Sequence, residues 1–186
     1  MEVENQHSNS LIKQCKNGDK SAQFAVYKQY FKAMYNTALR IVNDSFEAED
    51  IMQESFLAAF TKLDSFSGNV TFGAWLKRIV INNSLTALKK NKRLETVPIE
   101  KVTISNVENE ESLDYNSISA SDILSKISQL KTNYKIALTL NLIEGYDSEE
   151  IAQIMKISYE NSRTTISRAK NKLRQLFQQQ HEKQFR

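Results

Sequence analysis

The stretch from Asp147 to Lys172, DSEEIAQIMKISYENSRTTISRAKNK, admits few folds. It reads as a short helix, a tight bridge through Ile157 and Ser158, and a second helix starting near Tyr159. Asp147 or Ser148 suits the first cap, and Glu149 and Glu150 suit the positive end of that helix. Ile151, Ala152 and Met155 fall on one of its faces. On the second helix Ser162, Ile166, Ala169, Leu173 and Leu176 share a side, expected to be buried. The other side carries Arg163, Thr164, Ser167, Arg168 and Asn171, side chains that can reach base edges and phosphates in a major groove. This is a helix-turn-helix with its second helix as reader. An ordinary helical hairpin with a solvated basic face shares the pattern, so the rest of the chain must decide.

With only 4 Gly and 1 Pro in 186 residues, long helices are favoured over turn-rich β structure. The net charge of +3 is mild, so the distribution of charge matters more than its sum. Cys15 stands alone, which excludes an internal disulfide or a cysteine metal cluster and fits a reducing cytoplasm. The N-terminal MEVENQHSNS is polar and carries acids, unlike a signal peptide, and no apolar run is long enough to cross a bilayer.

From Leu11 to Val42 the pattern is helical, broken at Gly18 and restarted by a cap at Asp19. Phe24, Tyr27, Tyr30, Phe31, Tyr35, Leu39 and Val42 recur at helical spacing and are expected to be core. Asn43 to Phe46 reads as a turn. The helix from Glu47 to Leu63 has a core face of Ile51, Met52, Phe56, Ala59, Phe60 and Leu63. Its opposite face presents Glu47, Asp50, Glu54, Leu57 and Thr61. Acids in a first helical turn are routine electrostatics, but an apolar Leu57 ringed by acids suits docking of a basic partner.

Asp64 to Thr71 is a loop. The helix after it should bury Phe72, Trp75, Leu76, Ile79, Val80 and Leu88. A stripe of Arg78, Asn82, Lys89 and Arg93 runs along it and ends in the cluster Lys89, Lys90, Lys92 and Arg93. A capped, solvated helix end accounts for such a cluster; so does binding of phosphates and unstacked bases. From Leu94 to about Ala120 periodicity disappears. This stretch holds Pro98 and the acids Glu95, Glu100, Glu108, Glu110, Glu111 and Asp114, the composition of a flexible acidic linker. Helical patterning resumes through Ile123, Leu124, Ile127, Leu130, Tyr134, Ala137, Leu138 and Leu142, with Gly145 placed to end the second helix. FQQQHEKQFR reads as a polar tail that frays.

The expected fold is therefore all-α: a helical domain over residues 1–94, a flexible acidic linker over 95–120, and a second helical domain over 121–186 containing the helix-turn-helix. At this point the chain resembles the bacterial RNA polymerase sigma factors of the sigma-70 family, in their extracytoplasmic-function (ECF) group. AEDIMQESFLAAF and SFSGNVTFGAWLKRIVINNSLTALKKNKR are similar to the family's second conserved region. SQLKTNYKIALTLNLIEGYDSEEIAQIMKIS followed by RTTISRAKNKLR is similar to its fourth. The chain departs from the family pattern at Ser162, where a small apolar residue is usual, at Glu160, often Gly, and at Lys131, often Pro.

The resemblance implies a specificity subunit without a catalytic site, cofactor or metal, controlling a stress or envelope-signal regulon from the cytoplasm. Its partners would be core RNA polymerase, promoter DNA and an anti-sigma factor. Asp50, Gln53, Glu54 and Leu57 would bind polymerase. The Ser67–Gly68–Asn69 loop, Arg78, Asn82, Lys89, Lys90 and Arg93 would capture the −10 element, with Asn82 at a base-reading position. Arg163, Thr164, Ser167, Arg168 and Asn171 would read the −35 element. The alternative is a free-standing repressor or activator whose first domain senses a ligand or dimerises. That would require a pocket or dimer face in place of the acidic docking face and the basic helix. An enzyme is disfavoured because no phosphate-binding glycine loop, metal spacing or nucleophile–base pair is visible.

Overall fold

A computed structural model describes residues 10–91 and 119–184, with side chains through residue 179. Among these residues every regular element is helical. The chain divides into two compact units, Met1–Asn91 and Lys92–Arg186.

The first unit opens with α1, residues 10–16, which buries Ile12 and Cys15. Gly18, at φ +81°, turns the chain where a side chain would be strained. Asp19 then caps α2 (Lys20–Val42), accepting from the Ser21 and Ala22 N–H groups at 2.8 and 3.2 Å. α2 stops at Asn43 in the left-handed conformation, one of the few residues besides glycine that tolerates it. Asp44 immediately caps α3 (Ser45–Thr61) by accepting from the Glu47 N–H at 2.9 Å. A single 3₁₀ turn, Leu63–Ser65, leads to a loop and then to α4 (Phe72–Lys90). The three long helices pack on one another around Val26, Met34, Ile41, Leu76, Val80, Ile81 and Leu88.

Two expectations change here. The segment 43–46 is not a separate turn: Asp44 starts α3 early and puts Phe46 on the helix. The α2 aromatics are only partly core. Phe24 is 60% and Phe31 42% exposed, while Tyr27 and Tyr30 are half-buried. The buried line of α2 is Ala22, Val26, Met34, Ala38, Ile41 and Val42, and Tyr27 and Tyr30 flank it, with their rings against Phe56 of α3 and Phe72 of α4. Ring size at helical spacing does not say which face is inward. Likewise Ile79 and Trp75 are half-buried on α4, and Ile81 and Leu85 take core positions.

In the second unit Ser119 and Asp122 form a capping box at the start of α5 (Ala120–Ser128). α6 (Thr132–Leu138) runs on into a π turn, Thr139–Ile143, before Gly145 reverses the chain at φ +80°. α7 (Ser148–Met155) and α8 (Tyr159–Gln184) follow. Ile127, Leu130, Leu138 and Ala169 form a core cluster flanked by Ile123, Tyr134, Leu173 and Leu176. The expected frayed tail is helical instead: α8 continues to Gln184, in keeping with the good helix propensity of Gln, Glu and Lys. The acidic segment falls mostly on residues 92–118, outside the described residues, as do Lys92 and Arg93.

Candidate nucleic-acid and polymerase interfaces

The reader helix is set by chemistry at its start. Asp147 caps α7 by accepting from the Glu149 and Glu150 N–H groups, both at 2.8 Å, while the Glu150 carboxylate accepts from the Asp147 N–H at 2.9 Å. α7 ends at Lys156, whose left-handed backbone (φ 57°) turns the chain where glycine is the usual occupant. Ser158 caps α8, accepting from the Asn161 N–H at 3.2 Å. With the end of α7 and the start of α8 fixed, α8 presents its faces in a definite register. Ser162, Thr165, Ile166 and Ala169 are buried; Arg163, Ser167 and Asn171 are exposed; Thr164 and Arg168 are half-buried at the edge. The five expected contact residues thus lie on one outward face.

That face carries internal order. The Arg163 guanidinium lies over the Tyr159 ring, 5.7 Å from its centroid, so the ring steadies the cation one turn along. Arg174 donates to the Asn171 side-chain oxygen at 2.6 Å, which fixes the Asn171 amide. Tyr159 was missed in the sequence, although its four-residue offset from Arg163 was a usable signal.

In the first unit the loop after the 3₁₀ turn is held at its base by aromatic packing. Phe66 is buried, with its ring edge-on to Phe72 (5.7 Å, 88°) and 5.3 Å from Trp75. Lys16 reaches from α1 to donate to the Phe66 carbonyl at 3.3 Å. Thr71 closes the other end, capping α4 by accepting from the Ala74 N–H at 3.3 Å. Between these anchors Ser67, Gly68 and Asn69 stand exposed, with Gly68 at φ +79°. Along α4, Asn82, Lys89 and Lys90 are exposed and Arg78 is half-buried. Arg78, Asn82 and Lys89 share one face of α4 by register, with Lys90 following at its basic end. Asn83 on the neighbouring face instead turns inward, donating to Ser55 Oγ at 3.0 Å and locking α4 to α3. Of the expected −10 contacts only Arg93 lies outside the described residues.

On α3, Asp50, Gln53, Glu54 and Leu57 are all exposed, and Leu57 is 69% so. Gln53 donates to Glu49 at 3.4 Å, and Asn91, just past α4, donates to Glu47 at 2.8 Å. The start of the acidic helix is thereby tied to the end of the basic one.

Residues 26–94 match the Sigma-70 region 2 family and residues 120–173 match Sigma-70, region 4. The ECF RNA polymerase sigma factor SigW of Bacillus subtilis is 30% identical over 173 residues, spanning 88% of this chain and 92% of the relative. The chain belongs to the sigma-70 family. The match to SigW places it in the ECF group of sigma factors, and the RNA polymerase sigma-H factor of Pseudomonas aeruginosa is 29% identical over 86% of this chain and 88% of its own length. The ECF sigma-E factor of Escherichia coli is 28% identical over the same shares. Among solved structures the fold is similar to CnrH in complex with the cytosolic domain of CnrY. That match has 22% identity, covers 92% of this chain and 97% of that one, and has a TM-score of 0.55. It is also similar to the sigma factor RpoE of Bartonella quintana crystallised with the anti-sigma factor NepR, at 23% identity over 83% and 95%, with a TM-score of 0.57. As a sigma factor, the protein binds core RNA polymerase and directs promoter-specific initiation. No helix among the described residues is long and apolar enough to cross a membrane.

Proposed function

We propose the following division of labour within this sigma factor. α8 enters the major groove of the −35 element and reads it with Arg163, Thr164, Ser167, Arg168 and Asn171. The Ser67–Asn69 loop with Arg78, Asn82, Lys89, Lys90 and Arg93 captures the unstacked strand of the −10 element. Asp50, Gln53, Glu54 and Leu57 dock on core polymerase. The protein does no bond chemistry itself; it lends specificity to the polymerase in the cytoplasm, serving a stress or envelope-signal regulon. An anti-sigma factor holds it inactive, as the partners of the two structural neighbours suggest.

The observation that carries this reading is the register of α8: the residues that pack inward are small or aliphatic, and those that face out are donors suited to bases and phosphates. The energetics are adequate. A stacked base contributes about 1–3 kcal/mol toward holding melted DNA, and a bidentate base contact about 1–3 kcal/mol of discrimination. Neither unit alone would bind tightly; carrying both on one polymerase makes the second contact effectively intramolecular.

Run-off transcription with purified core enzyme and mapped start sites tests the proposal. The protein should direct initiation from a subset of a genomic promoter pool, and Arg168→Ala should weaken protection of the −35 region. A footprint unchanged upstream in that variant would remove the role given to α8.

A further inference from the structure

α3 carries a second apolar side chain on the docking stripe. Phe46 is 81% exposed and Leu57 69%, the two most exposed large hydrophobic side chains among the described residues. Because Asp44 caps the helix, Phe46 sits in its first turn. Counting 100° per residue, Phe46 and Leu57 lie only about 20° apart around the axis and, at 1.5 Å per residue, about 16 Å apart along it. Asp50, Gln53 and Glu54 fall between them on the same side. The neighbours of Phe46 one turn along, Glu49 and Asp50, are themselves exposed. Phe46 is also out of place for a hydrophobic staple, which pairs the residue before the cap with the fourth of the helix. The fold makes little use of this ring.

We infer that Phe46 is the second hydrophobic anchor of the polymerase-docking face, and that the partner surface is a basic element with two apolar sites about three helical turns apart. The inference rests on the docking reading of Asp50, Gln53, Glu54 and Leu57 and extends that face to the start of α3. Its logic is that of an interface core: apolar anchors become dry on contact while a charged surround sets orientation. The acids of α3 select a cationic partner, and the two anchors fix where along the helix it settles. Continuity with the acidic stripe, and its charge, favour polymerase over a second copy of this chain.

The test is the affinity of the full-length protein for core RNA polymerase in the absence of DNA, measured by fluorescence anisotropy. Phe46→Ala should weaken binding about tenfold, Leu57→Ala by a similar factor, and the double variant more than either. Helix content by circular dichroism should be unchanged, because both side chains are exposed. Charge reversal, Asp50→Lys with Glu54→Lys, is the independent arm. If charge reversal weakens binding and Phe46→Ala does not, the anchor is refuted and the docking face stands. If neither matters, the docking face itself is refuted. Unchanged polymerase affinity with impaired promoter opening would put Phe46 on DNA and overturn the inference. Loss of self-association in Phe46→Ala without loss of polymerase binding would make the stripe a homodimer contact, and would equally overturn it.

Discussion

Ser162 and Ser55 are both completely buried serines in helices, and truncating them to alanine should move stability in opposite directions. Ser162 has no exposed surface and its Oγ has no hydrogen-bond partner. Leaving a buried hydroxyl unsatisfied costs about 1–3 kcal/mol, and alanine gains up to about 0.5 kcal/mol of helix propensity over serine. Against this stands the loss of one small atom from a packed site. Ser162→Ala should therefore stabilise the second unit by about 1 kcal/mol, roughly 4–8 °C in midpoint for a domain of this size. Ser55 is the opposite case. Its Oγ donates to the Ile51 carbonyl at 2.6 Å and accepts from Asn83 Nδ2 at 3.0 Å. Ser55→Ala strands the Asn83 amide, so the first unit should lose about 1 kcal/mol after the propensity gain is subtracted. The units can be followed separately. Trp75, the only tryptophan, lies in the first, so its fluorescence reports that unit, while circular dichroism at 222 nm sees both. Urea titration should move the second transition up in Ser162→Ala with Trp75 fluorescence unchanged, and move the Trp75 transition down in Ser55→Ala. A destabilised Ser162→Ala, or a neutral Ser55→Ala, would show that partner bonding of these hydroxyls does not set the sign.

Gly73→Ala should destabilise the first unit by about 1–2 kcal/mol, read from the Trp75 transition, because the added Cβ would lie 2.9 Å from Tyr30 Cε1 and that ring is itself packed edge-on to Phe72. The Cys15 thiol should react with iodoacetamide only slowly at pH 8 in the folded protein and readily in urea, since burial first, and the Asp19 charge second, raise its pKa. The sign for stability follows: Cys15 supports the fold below the ordinary thiol pKa of about 8.5, and that support is lost as pH rises above it. A Cys15→Ser chain should lack this alkaline component of the urea midpoint.

Where local rules and tertiary packing ask for the same residue, the chain was legible in advance. α8 is the best case: its aliphatic repeat puts Ser162, Ile166 and Ala169 inside with Leu173 and Leu176 half-buried against them, while Arg163, Ser167 and Asn171 are exposed and Thr164 and Arg168 lie half-buried at the edge. α3 is nearly as clear, with Ile51, Met52, Phe56 and Ala59 buried as patterned and Phe60 half-buried, while Leu63, also buried, falls in the 3₁₀ turn just past the helix end. On α2 an aromatic at helical spacing looks the same whether it faces a neighbouring helix or solvent, and the buried line runs instead through Ala22, Val26, Met34, Ala38 and Ile41. Phe46 was lost to a boundary: Asn43-Asp44-Ser45 has turn composition, yet Asp44 is a cap and α3 begins directly after it. Buried hydroxyl bonding, as at Ser55 and Asn83, leaves no mark in a one-dimensional pattern.

The π turn at Thr139–Ile143 has a consequence for how such readers diversify. It holds an extra residue in the helical path just ahead of the reversal, and the Tyr146 N–H returns to the Leu140 carbonyl at 2.9 Å while Asn141 Nδ2 clasps the Tyr146 carbonyl at 3.0 Å. A π turn takes up one extra residue by local widening and leaves the flanking turns near their α-helical phase, so Leu138 stays on the cluster it shares with Ala169 of α8. Length can thus vary by a residue ahead of the reversal while the packed face that aims α8 keeps its place.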